Sequence, residues 1–162
     1  MEIERKWLIR PSDIPYDLQS LPNISIEQAY ISFSPVVRIR QINRGEKNIL
    51  TVKHPSAYGG LANEESEHEV DQALAAFLFS CSSGNIISKT RYFRRLPSGL
   101  KEEIDIFSGA LEGLAYLEIE FPDIESAALY PTPVWAVADV TQDLRFKNSS
   151  LAQHGLPETS FL

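Results

Sequence analysis

The chain has 162 residues, and its 15 lysines and arginines against 22 aspartates and glutamates give a formal net charge of −7. This length predicts one domain over residues 1–162 that folds without disulfides, and the single cysteine has no partner within the chain. The acidic balance disfavours nucleic acid as a bulk partner, and no segment is apolar over the ~20 residues that span a bilayer. The charged start at residues 2–6 does not resemble a signal peptide, so we expect a cytoplasmic protein without a membrane partner.

Alternation of charged and apolar residues with a period of two predicts eight β-strands. In chain order, they cover residues 2–10, 26–33, 35–44, 47–54, 64–70, 86–95, 101–107 and 114–121. Good N-cap residues and helix formers predict helices over 71–80, 123–129 and 148–154, and a short turn is expected near 12–19. The irregular helix spacing does not fit a parallel sheet, so the predicted fold class is α+β with a mostly antiparallel sheet.

Each predicted strand carries its charges on one face, because side chains at positions i and i+2 lie on the same side of a strand. The signs are also sorted: arginines or lysines occupy one face at 38 and 40 and at 89 and 91, whereas acids do so at 65, 67 and 69, at 103 and 105, and at 118 and 120. A sheet with one side in water gives a similar alternation and remains open as an alternative.

Like charges that face each other across strands destabilise a solvated sheet, so sorted signs favour a site where a ligand supplies the counter-charge. Eight strands are enough to close a barrel around one small ligand. We therefore predict an eight-stranded antiparallel β-barrel, with its charged face lining a tunnel and its apolar face outside, beneath a few helices.

The same residues form a series of motifs. Glu2-Ile3-Glu4-Arg5-Lys6 resembles the ExExK signature of the CYTH superfamily, the triphosphate tunnel metalloenzymes. RxR (38–40), TxK (51–53), alternating glutamates (65–69), KxRY (89–92), ExD (103–105), ExE (118–120) and a closing segment (139–149) follow in the family's order. The resemblance covers essentially the whole chain and points to the short bacterial, single-domain type that resembles inorganic tripolyphosphatases.

The resemblance implies a tunnel that binds a triphosphate and hydrolyses it with Mg²⁺ or Mn²⁺, by in-line attack of a metal-activated water. It assigns the metal to Glu2, Glu4, Glu103, Glu118 and Glu120. It assigns phosphate binding to Lys6, Arg38, Arg40, Lys53, Lys89, Arg91 and Arg145. It assigns catalytic roles to Tyr30, Lys53, Glu67, Glu69 and Asp105, with Tyr30 and Lys53 as a pair that handles protons.

Several alternatives remain open at this point. Within the family, the alternative functions are those of a class IV adenylyl cyclase and of a thiamine or nucleoside triphosphatase. Outside the family, the alternatives are a non-catalytic polyphosphate- or nucleotide-binding module and an interaction domain with a solvated sheet. Homodimers are frequent among such proteins, so a homodimer is a further hypothesis. We also expect alanine at Glu118 or Glu120 to abolish turnover with smaller damage to folding, because either change relieves repulsion in the metal-free barrel.

Overall fold

The computed structural model describes residues 2–55 and 62–158 of the chain. Its nine strands are β1 (Glu2–Ile9), β2 (Asn23–Phe33), β3 (Val36–Ile42), β4 (Lys47–Pro55), β5 (Ala62–Glu69), β6 (Ser83–Arg95), β7 (Lys101–Ser108), β8 (Ala115–Glu120) and β9 (Ala136–Asp139). Its helices are α1 (Gln72–Ser80), α2 (Ile124–Leu129) and α3 (Asn148–His154). The eight predicted strands and three predicted helices are confirmed, with two 3₁₀ turns at Pro11–Asp13 and Leu18–Ser20 near the predicted turn, whereas β9 was not predicted.

Eight of the strands follow one another around an antiparallel ring in the order β5-β4-β3-β2-β6-β7-β8-β1. The ring closes where β1 pairs with β5, at Glu2↔Asn63 and Ile3↔Ala62. Strand β9 pairs with the far half of the same edge of β1, from Trp7↔Asp139 to Ile9↔Ala136. The architecture is therefore the predicted antiparallel barrel, and the short β9 covers part of the seam between its first and fifth strands.

Parts of the outer surface of the barrel are apolar and pack beneath the helices and connecting segments. On one side, Trp7, Leu117 and Ile119 belong to a buried cluster that includes Ala127 of α2. On another side, Ile39 packs with Ala75 of α1. Complete burial of one large apolar side chain contributes about 1.5–3 kcal/mol, so these outer clusters support the barrel from outside.

The interior of the barrel has two halves of different chemistry. Along β1, the inward positions run from Glu2, Glu4 and Lys6 to Leu8, which is 1% exposed. Leu8 begins the apolar half of the interior, a buried cluster formed with Ile87, Phe107, Tyr116 and Phe146. The predicted charged lining is therefore correct for one end only, because the segment after β9 inserts apolar side chains into the other end.

A further property concerns membranes. Within the described residues, no helix has the length and apolar character needed to cross a bilayer.

Candidate active site

A cavity of about 270 Å³ lies in the charged half of the barrel. Eight acidic residues line it, namely Glu2, Glu4, Glu65, Glu67, Glu103, Glu118, Glu120 and Asp143. Six basic residues line it as well, namely Lys6, Arg38, Arg40, Lys53, Arg91 and Lys147. Tyr30, Val36, Val140, Thr141, Phe146, Asn148 and Ser149 complete the wall. The barrel thus brings most of the site residues predicted from the sequence into one space.

The pairing of β1 with β8 decides which acids are neutralised. Lys6 lies opposite Glu118, and its Nζ is 3.0 Å from Glu118 Oε1. Glu4 lies opposite Glu120, and neither carboxylate forms an ion pair or a hydrogen bond within the described residues. Burial and the charge of Glu118 raise the pKa of Glu4, while burial and Glu2 raise the pKa of Glu120. These two acids are therefore the ones that a bound cation would stabilise most.

Arg91 on β6 connects three acids of β7 and β8. Its Nε is 2.7 Å from Asp105 Oδ1, its Nη2 is 2.8 Å from Glu118 Oε2, and it also pairs with Glu103. Burial opposes ionisation of Glu118, but Lys6 and Arg91 outweigh it and hold its pKa well below the ordinary range. Glu118 is thus a paired carboxylate, unlike Glu4 and Glu120.

Lys89 and Asp105 lie behind this wall and do not line the cavity. Neither side chain is exposed, and Lys89 Nζ is 2.6 Å from Asp105 Oδ2. Burial lowers the pKa of Lys89 to about 8, against the opposing charge of Asp105. The structure therefore places the predicted phosphate ligand Lys89 and the predicted catalytic residue Asp105 as a buried ion pair beneath Arg91.

The opposite wall is formed by β2 to β5. Lys53 Nζ is 2.7 Å from Glu2 Oε2 and 3.1 Å from Glu65 Oε2, so it spans the seam between β1 and β5. Arg38 Nη2 is 3.5 Å from Glu65 Oε1 and 3.9 Å from Glu67 Oε1. Lys53 and Arg38 therefore line the cavity as cations that are already paired with acids.

Arg40 differs from these cations because no described carboxylate pairs with it. Its Nε donates a hydrogen bond to Gln28 Oε1 at 3.1 Å. Burial lowers the pKa of Arg40 to about 10, and the like charges of Arg38 and Arg91 act in the same direction. An anion in the cavity would supply the missing counter-charge.

The predicted proton-handling pair has separate partners in the structure. Gln28 Nε2 donates to the Tyr30 hydroxyl at 3.0 Å, whereas Lys53 is paired with Glu2 and Glu65. No hydrogen bond joins Tyr30 to Lys53 in the described part of the chain, although both line the cavity. The proton-transfer role of this pair stays a prediction.

Two further predicted site residues, Glu69 and Arg145, also lie outside the cavity. The Glu69 side chain is 64% exposed and its carboxylate is 3.7 Å from Lys47 Nζ. The Arg145 side chain is 56% exposed and its Nη2 is 2.6 Å from Asp143 Oδ2. The structure therefore does not bring Glu69 or Arg145 to the other site residues.

Sequence reasoning missed the cavity residues that follow β9, above all Lys147. Burial and the like charge of Lys53 lower the pKa of Lys147, and no described acid pairs with it. Thr141 Oγ1 accepts from the Lys6 backbone N–H at 3.0 Å, which fixes this segment against β1. The only signal was the closing motif itself, because an irregular segment has no period that assigns its faces.

The acid set fits a hard divalent cation held jointly with a ligand. In residues 2–55 and 62–158, no three histidine, cysteine or acidic side chains already converge as a metal cage. Mg²⁺ does not need one, since it usually takes one or two carboxylates together with phosphate oxygens and waters. The unpaired Glu4 and Glu120 supply that donor chemistry.

No protein-family model matches this chain, but full-length relatives do. It is 32% identical over 152 residues to an inorganic triphosphatase of Nitrosomonas europaea, covering 93% of this chain and 96% of that protein. It is 34% identical over 157 residues to an inorganic triphosphatase of Acetivibrio thermocellus, covering 94% of each. The chain belongs to the CYTH superfamily, the triphosphate tunnel metalloenzymes.

Solved structures agree with membership of the triphosphate tunnel metalloenzymes. A crystal structure of the inorganic triphosphatase NE1496 is 30% identical, with a TM-score of 0.66 and 94% of each chain covered. An adenylyl-cyclase-like protein from Hippeastrum, described as having a dominant triphosphatase activity, is 18% identical with a TM-score of 0.61, over 79% of this chain and 83% of that one. The second likeness supports the barrel fold alone.

Proposed function

We propose that this tunnel metalloenzyme hydrolyses inorganic tripolyphosphate, using Mg²⁺ or Mn²⁺ as its cofactor. The observation that carries the proposal is the presence of unpaired groups of both signs in one cavity. Glu4 and Glu120 lack a cation, and Arg40 and Lys147 lack an anion, among the described residues. A divalent metal with a polyphosphate chain would satisfy both sets together.

In this proposal, five acids hold or surround the metal: Glu2, Glu4, Glu103, Glu118 and Glu120. When bound there, the cation would lower the pKa of a water and polarise phosphate oxygens. Glu4 and Glu120 would bind it directly, because they have no other counter-charge. Glu118 instead keeps Lys6 and Arg91 in place at the border of the acidic and basic walls.

The proposed phosphate clamp consists of Lys6, Arg38, Arg40, Lys53, Arg91 and Lys147. Arginines suit two-point contacts with phosphate oxygens, and lysines supply point charges. Fixed cations of this kind stabilise the negative charge that develops during in-line attack without having to reorganise. Asp105 would support the clamp by holding Arg91, and Lys89 would hold Asp105 in turn. Glu67 would orient the guanidinium of Arg38 through its Nη2.

The charged lining of the cavity favours an inorganic triphosphate over a nucleotide. Pockets for organic ligands are lined mainly by apolar and aromatic side chains, whereas this cavity is lined mainly by charged ones. Tyr30 and Phe146 are its aromatic residues among those described, and Phe146 belongs to the apolar half. Together with Val36 and Val140, these are few apolar residues beside fourteen charged ones, so the cavity offers little wall for a base to pack against.

Several predictions from the sequence have no structural observation that tests them. The functions of Glu69 and Arg145, a homodimer, a cytoplasmic location, a single domain over residues 1–162 and the lack of nucleic-acid or membrane partners all stay hypotheses from the sequence.

The proposal is tested by phosphate release from tripolyphosphate, ATP and thiamine triphosphate, each with Mg²⁺, Mn²⁺ or EDTA. We expect release from tripolyphosphate to be fastest and to require a divalent metal. Cyclic AMP formation from ATP without tripolyphosphate hydrolysis would instead identify a cyclase. Binding of tripolyphosphate without turnover under any metal would identify a non-catalytic module.

A further inference from the structure

Gln28 is a completely buried polar residue behind the cavity wall. It is 0% exposed and lies on β2 directly opposite Arg40 of β3. Its amide makes two hydrogen bonds, accepting from Arg40 Nε at 3.1 Å and donating to the Tyr30 hydroxyl at 3.0 Å. A buried amide with both ends used connects two residues that line the cavity.

The direction of these hydrogen bonds follows from the chemistry of arginine. A guanidinium can only donate, so the oxygen of Gln28 must face Arg40 and its NH₂ group must face Tyr30. The Tyr30 oxygen must then accept from Gln28. The hydroxyl hydrogen of Tyr30 cannot point at Gln28, and among the described residues no other hydrogen bond is formed by this hydroxyl; because Tyr30 lines the cavity, a ligand there can accept the hydrogen.

The same contact leaves the end of Arg40 free. Since Gln28 takes the Nε hydrogen, the terminal nitrogens of Arg40 remain available to the cavity, where no described acid occupies them. The pairing of β2 with β6 is also irregular between Gln28 and Tyr30. Such irregularities redirect side chains beside active sites.

We propose that Gln28 is a positioning residue for the triphosphate: it fixes Arg40 through Nε and orients the Tyr30 hydroxyl as a hydrogen-bond donor to a phosphate oxygen. This inference rests on the proposed function. It gives Tyr30 a binding role in which its proton is held outward, rather than the role of a base that receives a proton from water.

The test compares Gln28→Met, Tyr30→Phe and the double variant with Gln41→Met as the control. Methionine keeps the length of glutamine but forms no strong hydrogen bond. Gln41 is the neighbour of Arg40 on the outward face of β3, where it donates to Asn48 Oδ1 at 3.3 Å. All four proteins are checked by circular dichroism, and KM and kcat are then measured with tripolyphosphate and Mg²⁺.

We expect Gln28→Met to raise KM by about tenfold or more and to change kcat less than about threefold, as for loss of hydrogen bonds to a charged ligand. Tyr30→Phe should raise KM by a smaller factor. In the Tyr30→Phe background, Gln28→Met should have a smaller effect than in the wild type, because part of its action is already lost. Gln41→Met should match the wild type.

Three results overturn the positioning role: a KM for Gln28→Met equal to that of Gln41→Met, independent effects of the two changes in the double variant, or a loss confined to kcat. If Gln28→Met does not fold, Tyr30→Phe decides, and an unchanged KM overturns the role. A wild type that neither binds nor hydrolyses tripolyphosphate overturns the proposed function itself, and the role of Gln28 with it.

Discussion

The two halves of the barrel interior are built from the same strands and yet do opposite things. On β1, Lys6 and Leu8 are consecutive inward residues, and on β8, Glu118 and Tyr116 are. Leu8 and Tyr116 belong to a buried apolar cluster, whereas Lys6 and Glu118 border a charged cavity. The apolar half stabilises the barrel by packing, whereas the charged half combines internal ion pairs with four described residues, Glu4, Glu120, Arg40 and Lys147, whose charges are left for a ligand.

The largest expected difference between the halves comes from changing Glu4 and Leu8, two inward residues of β1. Glu4→Gln should lower kcat at least about 100-fold, because it removes an unpaired acid proposed to hold the metal. Its metal-free stability should stay equal or rise. Phosphate release and thermal unfolding in EDTA measure the two effects.

Leu8→Ala is the matched variant in the apolar half. It should cost about 2–5 kcal/mol of unfolding free energy, as other large-to-small changes in cores do. The folded fraction should keep turnover within about twofold of the wild type. A strong loss of activity per folded molecule in Leu8→Ala, or a strong loss of stability in Glu4→Gln, would remove the distinction between the halves.

Changing Asp105 tests the buried ion pairs that lie beneath the charged half. Asp105→Ala leaves Lys89 buried without its partner and Arg91 without two hydrogen bonds. Breaking a buried pair in this way usually costs about 3–5 kcal/mol. Chemical denaturation should show this loss even without metal. A variant as stable as the wild type would mean that Lys89 is not held by Asp105.

Glu118 and Glu120 separate paired from unpaired acids on one strand. Glu118→Ala should lower the melting temperature in EDTA, because Lys6 and Arg91 lose a partner. Glu120→Ala should leave it unchanged or raise it, and both should lose turnover. This corrects the expectation from the sequence, which treated the two acids alike. Equal shifts of the melting temperature would contradict the pairing.

The sequence predicted the barrel well because alternation reports the two faces of a strand directly. It placed Glu2, Glu4 and Lys6 on one inward face, and it located α1 from its Asp71 cap, which accepts from Leu74 N–H at 2.8 Å. It could not identify the partner of each charge. Whether an acid is paired depends on register between distant strands, as Glu4↔Glu120 and Lys6↔Glu118 show.

Positions outside regular strands were also beyond sequence reasoning. Arg145 was selected from the closing segment, whereas Lys147 is the residue of that segment that lines the cavity. Gln28 gave no signal because a neutral amide does not stand out in a charge pattern. Its importance depends on burial and on two contacts that form only in the folded chain.

Lys147 and Arg145 therefore make a smaller, paired test. Lys147→Ala should raise KM for tripolyphosphate several-fold. The change should stay at or below tenfold, which corresponds to about 1.4 kcal/mol of binding free energy. Arg145→Ala should change KM less than about twofold, since Arg145 is exposed and bound to Asp143. The opposite order of effects would assign the phosphate contact to Arg145.

The pH dependence gives the smallest expected effect. The folded-state pKa of Glu4 is raised above its ordinary value of 4.5 by burial and by Glu118. The folded state therefore favours the neutral carboxyl of Glu4. The stability that this carboxyl contributes is present below pH 4.5 and is lost as the pH rises through the folded-state pKa, where the buried group becomes charged. In EDTA, the wild type should lose stability relative to Glu4→Gln over this range, and Mg²⁺ should reverse the loss. A difference that is independent of pH would contradict the assigned environment.

The most direct test of the account is a crystal structure with Mn²⁺ and a slowly hydrolysed imido analogue of tripolyphosphate, with the metal located by its anomalous signal. We expect the metal beside Glu4 and Glu120 and the phosphate chain against Arg40 and Lys147, all within the charged half. A ligand bound outside the barrel, or a metal held away from both glutamates, would contradict it.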